Sequence, residues 1–369
     1  MSVLFLGPLP DPVTGHSLAC QVFYDELVRH QRVEVVNLNK SEFKQGISSL
    51  GRIFEVLGMV GRIWRRRHAC EAIYFTISES LAGNLKDLLI YLACFWRLSR
   101  MAIHLHGGAG MREIMLGRRG RLLRSLNRFF LRRLGAVIVL GQRHVGIFTD
   151  SVPRKRIHIV ANFAQDNLFL DGVSIDRKFR RVMPLRILFL SNLLPGKGHE
   201  ELVDAFLALD AATRDTVQID FAGGFEAEDQ KSVFLARIGG HPQLRYHGTV
   251  HGAAKQLLFR EAHVFCLPTY YAYEGQPISI LEAYASGCAV ITTDHSGIFD
   301  IFVDGVNGFG VAKRSAAELR VAIEKAVAQP ERLHAIARKN NEIAYQYYRT
   351  SRHTSELITI INKVQEHSP

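Results

Sequence analysis

Residues 262–293 read AHVFCLPTYYAYEGQPISILEAYASGCAVITT. An apolar run of strand length, AHVFCLP, leads into a polar and aromatic loop. Pro277 to Ser286 then has helical character, and a second apolar run, CAVITT, follows at 288–293. Strand, helix and strand in this order indicate parallel strands joined by a crossover helix. The pattern recurs outward in both directions. Upstream and downstream of it lie RILFLS (186–191), VQIDFAG (217–223), LRYHG (244–248) and GFGVA (308–312). The first half repeats the scheme with VLFLG (3–7), VEVVNL (33–38), AIYFTI (72–77), MAIHLH (101–106), AVIVL (136–140) and RIHIV (156–160). Between the two series, Asp171 to Pro184 is polar and without periodicity, as expected of a linker. Ala316 to Val364 is expected to be helical throughout. The reading is α/β: two doubly wound parallel-sheet domains facing a cleft, residues 1–170 and 184–349. The last helix, about residues 350–369, is expected to pack back on the first domain.

Length and composition agree. A chain of 369 residues suits two cores at about 150 residues per domain, and 47% hydrophobic with 22% charged residues is a folded composition. The five cysteines, Cys20, Cys70, Cys94, Cys266 and Cys288, are scattered, without a CxxC pair, and read as reduced core thiols. The N-terminus lacks the order of a signal peptide. The longest uncharged apolar stretch, Leu88 to Trp96, is far short of the roughly 20 residues that cross a bilayer. A cytoplasmic protein is expected. The excess charge is confined to one half: residues 1–170 hold 24 Lys or Arg against 12 Asp or Glu, residues 171–369 hold 22 against 23. GxGxxG, Walker A, HExxH and GxSxG are all absent, which takes most of the weight from nicotinamide redox, P-loop and serine-hydrolase readings.

In the loop and helix of 268–286, Glu274 precedes a helix in which Pro277 is expected at the first position, where a missing N–H costs nothing. The free amides of Ile278 and Ser279 then form an anion and hydroxyl site, with Glu282 further along the same helix. Carboxylates accept hydroxyls and a helix N-terminus favours a diphosphate. By themselves the residues fit a loop charge and a solvated helix residue equally well. Lys197, in SNLLPGKGHEEL, is a cation at a strand-to-helix turn, where such sheets bind ligands. A plain surface lysine is the other reading.

The string EGQPISILEAYASGCAVI resembles the signature of retaining glycosyltransferase family four, whose pattern is Glu, seven residues, Glu, then Ala, a small residue, Gly and a strand. The likeness continues through Gly297 and the Asp304 to Gly308 loop, with Asp300 where the family usually has Glu. The resemblance implies a GT-B fold and a nucleotide-sugar donor, a UDP-sugar before a GDP-sugar. It implies that Glu274 contacts the transferred sugar, that Gly275, Gln276, Pro277 and Ile278 cradle sugar and phosphate, and that Glu282 binds the ribose. Lys197 matches the family's phosphate-binding lysine, while Asn192 stands where the family usually has Arg. Gly15 matches the second glycine of its N-terminal turn, with Thr14 replacing the first; a plain turn glycine reads as well. His106 matches a histidine near the anomeric centre and is expected to position or polarise rather than attack. No DxD is present, so no metal and no other cofactor is expected.

The basic stretch from Arg112 to Arg133 places Leu122, Leu123, Leu126, Phe129 and Phe130 at helical spacing, with arginines on other faces. Arg118, Arg119, Arg121, Arg124 and Arg128 are expected to rest on anionic lipid at the inner face of the plasma membrane; a core helix with a solvated arginine face is the alternative. No nucleic-acid module accompanies the charge. The expected reaction is transfer of a hexosyl or N-acetylhexosaminyl unit to a hydroxyl of a glycan or lipid-linked saccharide in cell-surface polysaccharide synthesis. A sugar-nucleotide epimerase, a glycoside phosphorylase and a non-catalytic membrane scaffold are the competing readings.

Overall fold

The computed structural model describes residues 2–10, 14–39, 49–117 and 120–366. Its contacts divide the chain into a first unit, 1–162 with 351–369, and a second unit, 163–350.

In the first unit, six parallel strands β1 (Ser2–Gly7), β2 (Arg32–Asn37), β3 (Ala72–Thr76), β4 (Met101–Leu105), β5 (Ala136–Val139) and β6 (Ile157–Ile159) take the order β2-β1-β3-β4-β5-β6. The central strands β3, β4 and β5 are apolar and buried at almost every residue, because helices cover both faces of a parallel sheet. The edge strand β2 is only partly buried and alternates Val with Arg and Glu. The helices are α1 (Gly15–His30), α2 (Ser49–Arg66), α3 (Leu81–Ala93), α4 (Ala109–Leu116), α5 (Arg121–Leu131) and the short α6 (Gln142–Val145). Thr14 opens α1 with a reciprocal cap: its hydroxyl accepts from the Ser17 amide at 3.1 Å, and its own amide donates to Ser17 Oγ at 2.8 Å.

The second unit repeats the scheme. Strands β7 (Leu185–Leu190), β8 (Val217–Ala222), β9 (Leu244–Tyr246), β10 (Val264–Leu267), β11 (Ala289–Thr293) and β12 (Gly308–Val311) take the order β12-β11-β10-β7-β8-β9, all parallel. The helices are α7 (Gly172–Phe179), α8 (His199–Leu207), α9 (Ala211–Asp215), α10 (Glu228–Ile238), α11 (Gly252–Glu261), α12 (Ile278–Ala285), α13 (Ala316–Ala328) and α14 (Pro330–Tyr347). Finally α15 (Thr350–Glu366) lays Leu357, Ile361 and Val364 into the first unit's core, beside Phe5, Phe23 and Ala136.

One expectation is corrected. The segment 171–184 is not a structureless linker, for it contains α7. Asp171 caps it by accepting from the Ser174 amide at 2.6 Å, and Ile175 and Phe179 join the second unit's core. Two apolar residues one turn apart anchor a helix too short to show periodicity.

In each sheet the strand order reverses once, between β1 and β3 in the first and between β7 and β10 in the second. Open parallel sheets bind ligands outside the strand carboxyl ends at such a switch point.

Candidate active site

The loops leaving β7 and β10, at the second switch point, are tied together. The Tyr270 amide donates to the Gly196 carbonyl at 2.7 Å, and Thr269 Oγ1 to the same carbonyl at 3.3 Å. Close approach dictates the glycine that ends the turn: Gly198 has φ of 90°, and a Cβ there would lie 2.6 Å from the Pro268 carbonyl oxygen. This clamp brings Lys197 to Glu274. Lys197 Nζ donates to Glu274 Oε2 at 2.7 Å and lies 4.6 Å from the centre of the Tyr271 ring. Thr269 Oγ1 donates to the same carboxylate oxygen at 3.1 Å. Glu274 and Gln276 are buried in the loop before α12, and the Gly297 amide holds the Gly275 carbonyl at 3.1 Å.

Pro277 is the cap of α12, with φ −63° and ψ 121°, rather than its first helical residue. The helix therefore starts at Ile278, and the first-turn amides of Ile278 and Ser279 have no intrahelical carbonyl to serve. Glu282, 1% exposed, is covered more completely than a solvated helix residue. Lys255 from α11 donates to it at 2.6 Å and to Gln165 Oε1 at 2.8 Å. Burial raises the affinity of the Glu282 carboxyl for a proton and the Lys255 ammonium opposes this. Lys255 occupies one oxygen of this carboxylate, Oε1, and a carboxylate can accept further hydrogen bonds. Asn192 is exposed at the start of the β7 turn.

In the first unit, Gly15 opens α1 beyond β1, and a Cβ there would meet nothing within 4 Å. The protein's own packing does not require this glycine. His106 follows β4 and stacks between two other rings, 4.3 Å from His16 and 4.0 Å from His104, centre to centre. His104 is structural: it is buried and its Nδ1 bonds the Tyr74 hydroxyl at 2.7 Å. His106 Nε2 is a buried atom without a hydrogen-bond partner among the described residues. Burial, then the neighbouring His104 and His16, hold the His106 imidazole neutral, well below the usual histidine range; burial brings His16 to about 4. Beside them Glu79, leaving β3, accepts from the amides of Gly108 at 2.8 Å and Gly110 at 3.1 Å. Burial raises its carboxyl to about 7 against these donors. A Cβ on Gly107 would fall 1.5 Å from Glu79 Oε1.

Among the described residues, His16, Cys20 and His106 alone gather three metal-ligating atoms, within 4.8 Å of one another. The two rings are tilted by only 30°, so their in-plane lone pairs run side by side instead of converging, and burial keeps the Cys20 proton in place. The stack suits a neutral hydrogen-bonding surface better than a metal.

Of the basic stretch, Arg118 and Arg119 lie outside the described residues. Helix α5 turns Leu122, Leu126 and Phe129 outward and buries Asn127, Phe130 and Leu131. Arg121 is exposed, while Arg124 and Arg128 are half-buried, Arg128 meeting Asp150 at 3.2 Å. Neither sequence reading described this arrangement, in which apolar side chains occupy the outer face. Lys255, Gln165, Thr269, Glu79 and His16 carry no mark in the sequence; of these only Thr269 falls within the stretch 262–293.

Residues 174–342 match the family model of Glycosyl transferases group 1. The chain is 33% identical over 150 residues to a phosphatidyl-myo-inositol mannosyltransferase of Mycolicibacterium smegmatis, covering 40% of this chain and 36% of that protein. It is 25% identical over 198 residues to an N,N'-diacetylbacillosaminyl-diphospho-undecaprenol alpha-1,3-N-acetylgalactosaminyltransferase of Campylobacter jejuni, 53% of this chain and 47% of the other. Across its curated relatives the matched region spans 34% to 56% of their length. The fold of Anabaena HepE, solved in complex with UDP, superposes with a TM-score of 0.72 at 17% identity, covering 98% of this chain and 100% of that one.

Two Rossmann-like units, with a built site at the switch point of the second, define a GT-B protein. The match to Glycosyl transferases group 1 lies within the second unit, over residues 174–342.

Proposed function

We propose that the chain transfers a hexosyl or N-acetylhexosaminyl unit from a nucleotide sugar, a UDP-sugar first, to a hydroxyl of a lipid-linked glycan, with retention and without a metal. The observation that carries this is the Lys197–Glu274 pair at the second switch point, beside the open amides of α12. A diphosphate arriving there draws Lys197 away from Glu274. The freed carboxylate accepts sugar hydroxyls, while Lys197 and the helix amides stabilise the departing diphosphate. No carboxylate is assigned as nucleophile; departure and attack on one face, within an ion pair, is the expected route. His106, neutral and with Nε2 unpartnered among the described residues, is suited to orient a substrate hydroxyl. The UDP complexes of Anabaena HepE support the donor class, and the undecaprenol-linked and inositol-lipid acceptors named for two relatives support a lipid-linked acceptor.

We further infer peripheral work at the inner membrane surface. No helix among the described residues is long and apolar enough to cross a membrane. Three neighbouring helices turn apolar stripes to solvent: Ile53, Phe54, Leu57 and Trp64 on α2, Leu81, Leu85, Leu89 and Leu92 on α3, and Leu122, Leu126 and Phe129 on α5.

The test is nucleotide release from a panel of UDP-, GDP- and ADP-sugars with and without a polyprenyl-linked acceptor. Acceptor-dependent UDP release that Glu274→Ala and Lys197→Ala abolish is expected. Turnover surviving both substitutions overturns the site; an epimerised donor without transfer overturns the reaction.

A further inference from the structure

At the amino ends of β4 and β5, the opposite end of the first sheet from His106, lies a cavity of about 750 Å³. It is lined by Trp96, Arg132, Arg133, Lys155, Arg156 and Lys363, with apolar side chains between them and no Asp or Glu. Arg132, Arg133, Lys155 and Arg156 make no ion pair with a carboxylate among the described residues. Their contacts are with neutral groups. Arg156 Nη1 donates to the carbonyls of Leu134 at 3.3 Å and Arg132 at 3.4 Å; Arg133 donates to the Phe129 carbonyl and lies 3.9 Å from the centre of that ring. Four cations gathered with no carboxylate partner among the described residues make a site for an anion.

The cavity is continuous with the apolar stripes. Helices α3 and α5 both run towards it, and Phe95 beyond α3 stacks on Phe129 of α5 with centres 6.0 Å apart and an 11° tilt. The α3 stripe Leu81, Leu85, Leu89, Leu92 continues to Trp96, which is 82% exposed at the cavity mouth. An indole so placed belongs at a lipid–water boundary. A soluble anion would account for the cations but not for the apolar track that ends on them.

We propose that this cavity seats the phosphate-bearing headgroup of one anionic phospholipid, while the stripes of α3 and α5 and the Trp96 ring enter the adjoining bilayer. The inference rests on the membrane reading above and adds a discrete headgroup site to it. It is distinct from the Lys197–Glu274 pair of the second unit and from His106, at the other end of the first sheet.

The test uses the full chain carrying Trp64→Phe, which leaves Trp96 as the single tryptophan, without nucleotide sugar. Vesicles of phosphatidylglycerol in phosphatidylcholine are compared with pure phosphatidylcholine by flotation and by Trp96 emission. Binding that favours phosphatidylglycerol, with a blue shift of Trp96, is expected. Lys155→Glu with Arg156→Glu is expected to weaken it about thirtyfold or more, since each cation near an anionic surface contributes on the order of fivefold, while nucleotide release in solution is unchanged. Equal binding to both vesicle types overturns the headgroup site and leaves the membrane reading standing; binding to neither overturns both. Unaltered phosphatidylglycerol binding by the double variant overturns the site. Displacement from vesicles by millimolar sn-glycerol 3-phosphate, but not by sodium chloride of matched ionic strength, assigns the cavity to soluble phosphates and overturns the lipid.

Discussion

Substituting Lys197 by Met probes the pair on which the donor site depends. Its two side chains are 12% and 10% exposed, with Nζ and Oε2 2.7 Å apart. Removing one member of a well-covered pair strands the other, at about 3–5 kcal/mol for full burial. The residual exposure and the surviving Thr269 bond to Glu274 place Lys197→Met near the lower figure, about 3 kcal/mol. Glu274→Gln is milder, about 1 kcal/mol, because a carboxamide oxygen still accepts from Lys197 and Thr269 and the ammonium keeps the Tyr271 ring. The double variant then shows a coupling of about 2 kcal/mol. Urea unfolding of the four proteins without ligand measures it. Adding UDP at about 100 times its dissociation constant stabilises the parent by about 2.7 kcal/mol, and Lys197→Met should lose most of that gain. A coupling under about 0.5 kcal/mol would refute the reasoning, since the cation would not then be held on the acid before the donor arrives.

Other outcomes follow from further buried groups. Lys255→Met strips Glu282 of its cation and should destabilise by about 3 kcal/mol at neutral pH; burial raises that carboxyl's affinity for a proton, so part of the loss should return on acidification, as urea midpoints across a pH series will show. Glu79 keeps its proton to about 7 when folded against 4.5 as the reference, so its contribution is fully present below 4.5 and lost as pH rises through 7. Subtracting the Glu79→Gln stability profile from the parent profile should isolate that fall. His353, buried and lowered to about 4 with its Nδ1 on the Ala161 carbonyl at 2.7 Å, acts in the opposite sense. Its stabilisation is present above about 6.5 and disappears as pH falls through 4, so His353→Gln should flatten the acid limb of unfolding. EDTA should leave nucleotide release unchanged, and loss of turnover restored by a divalent ion would refute the metal-free reading.

The sequence by itself determined both sheets, because twelve short apolar runs, each flanked by turn residues, report local burial on two faces wherever they are read. It also marked the loop and helix around Glu274 and Glu282 and the turn at Lys197, where a strand end, glycines and a charge stand within one short segment. Only the tertiary structure decided how those charges are paired. Lys197 meets Glu274 across 77 residues and Lys255 meets Glu282 across 27; no periodicity encodes which element crosses which. The same holds for His16 against His106, brought together by α1 and β4, and for α5, whose spacing shows an amphipathic helix but not that α3 beside it leaves Leu122, Leu126 and Phe129 facing outward. Local pattern reports how much of a residue is covered, whereas the identity of the covering group is a property of the packed chain.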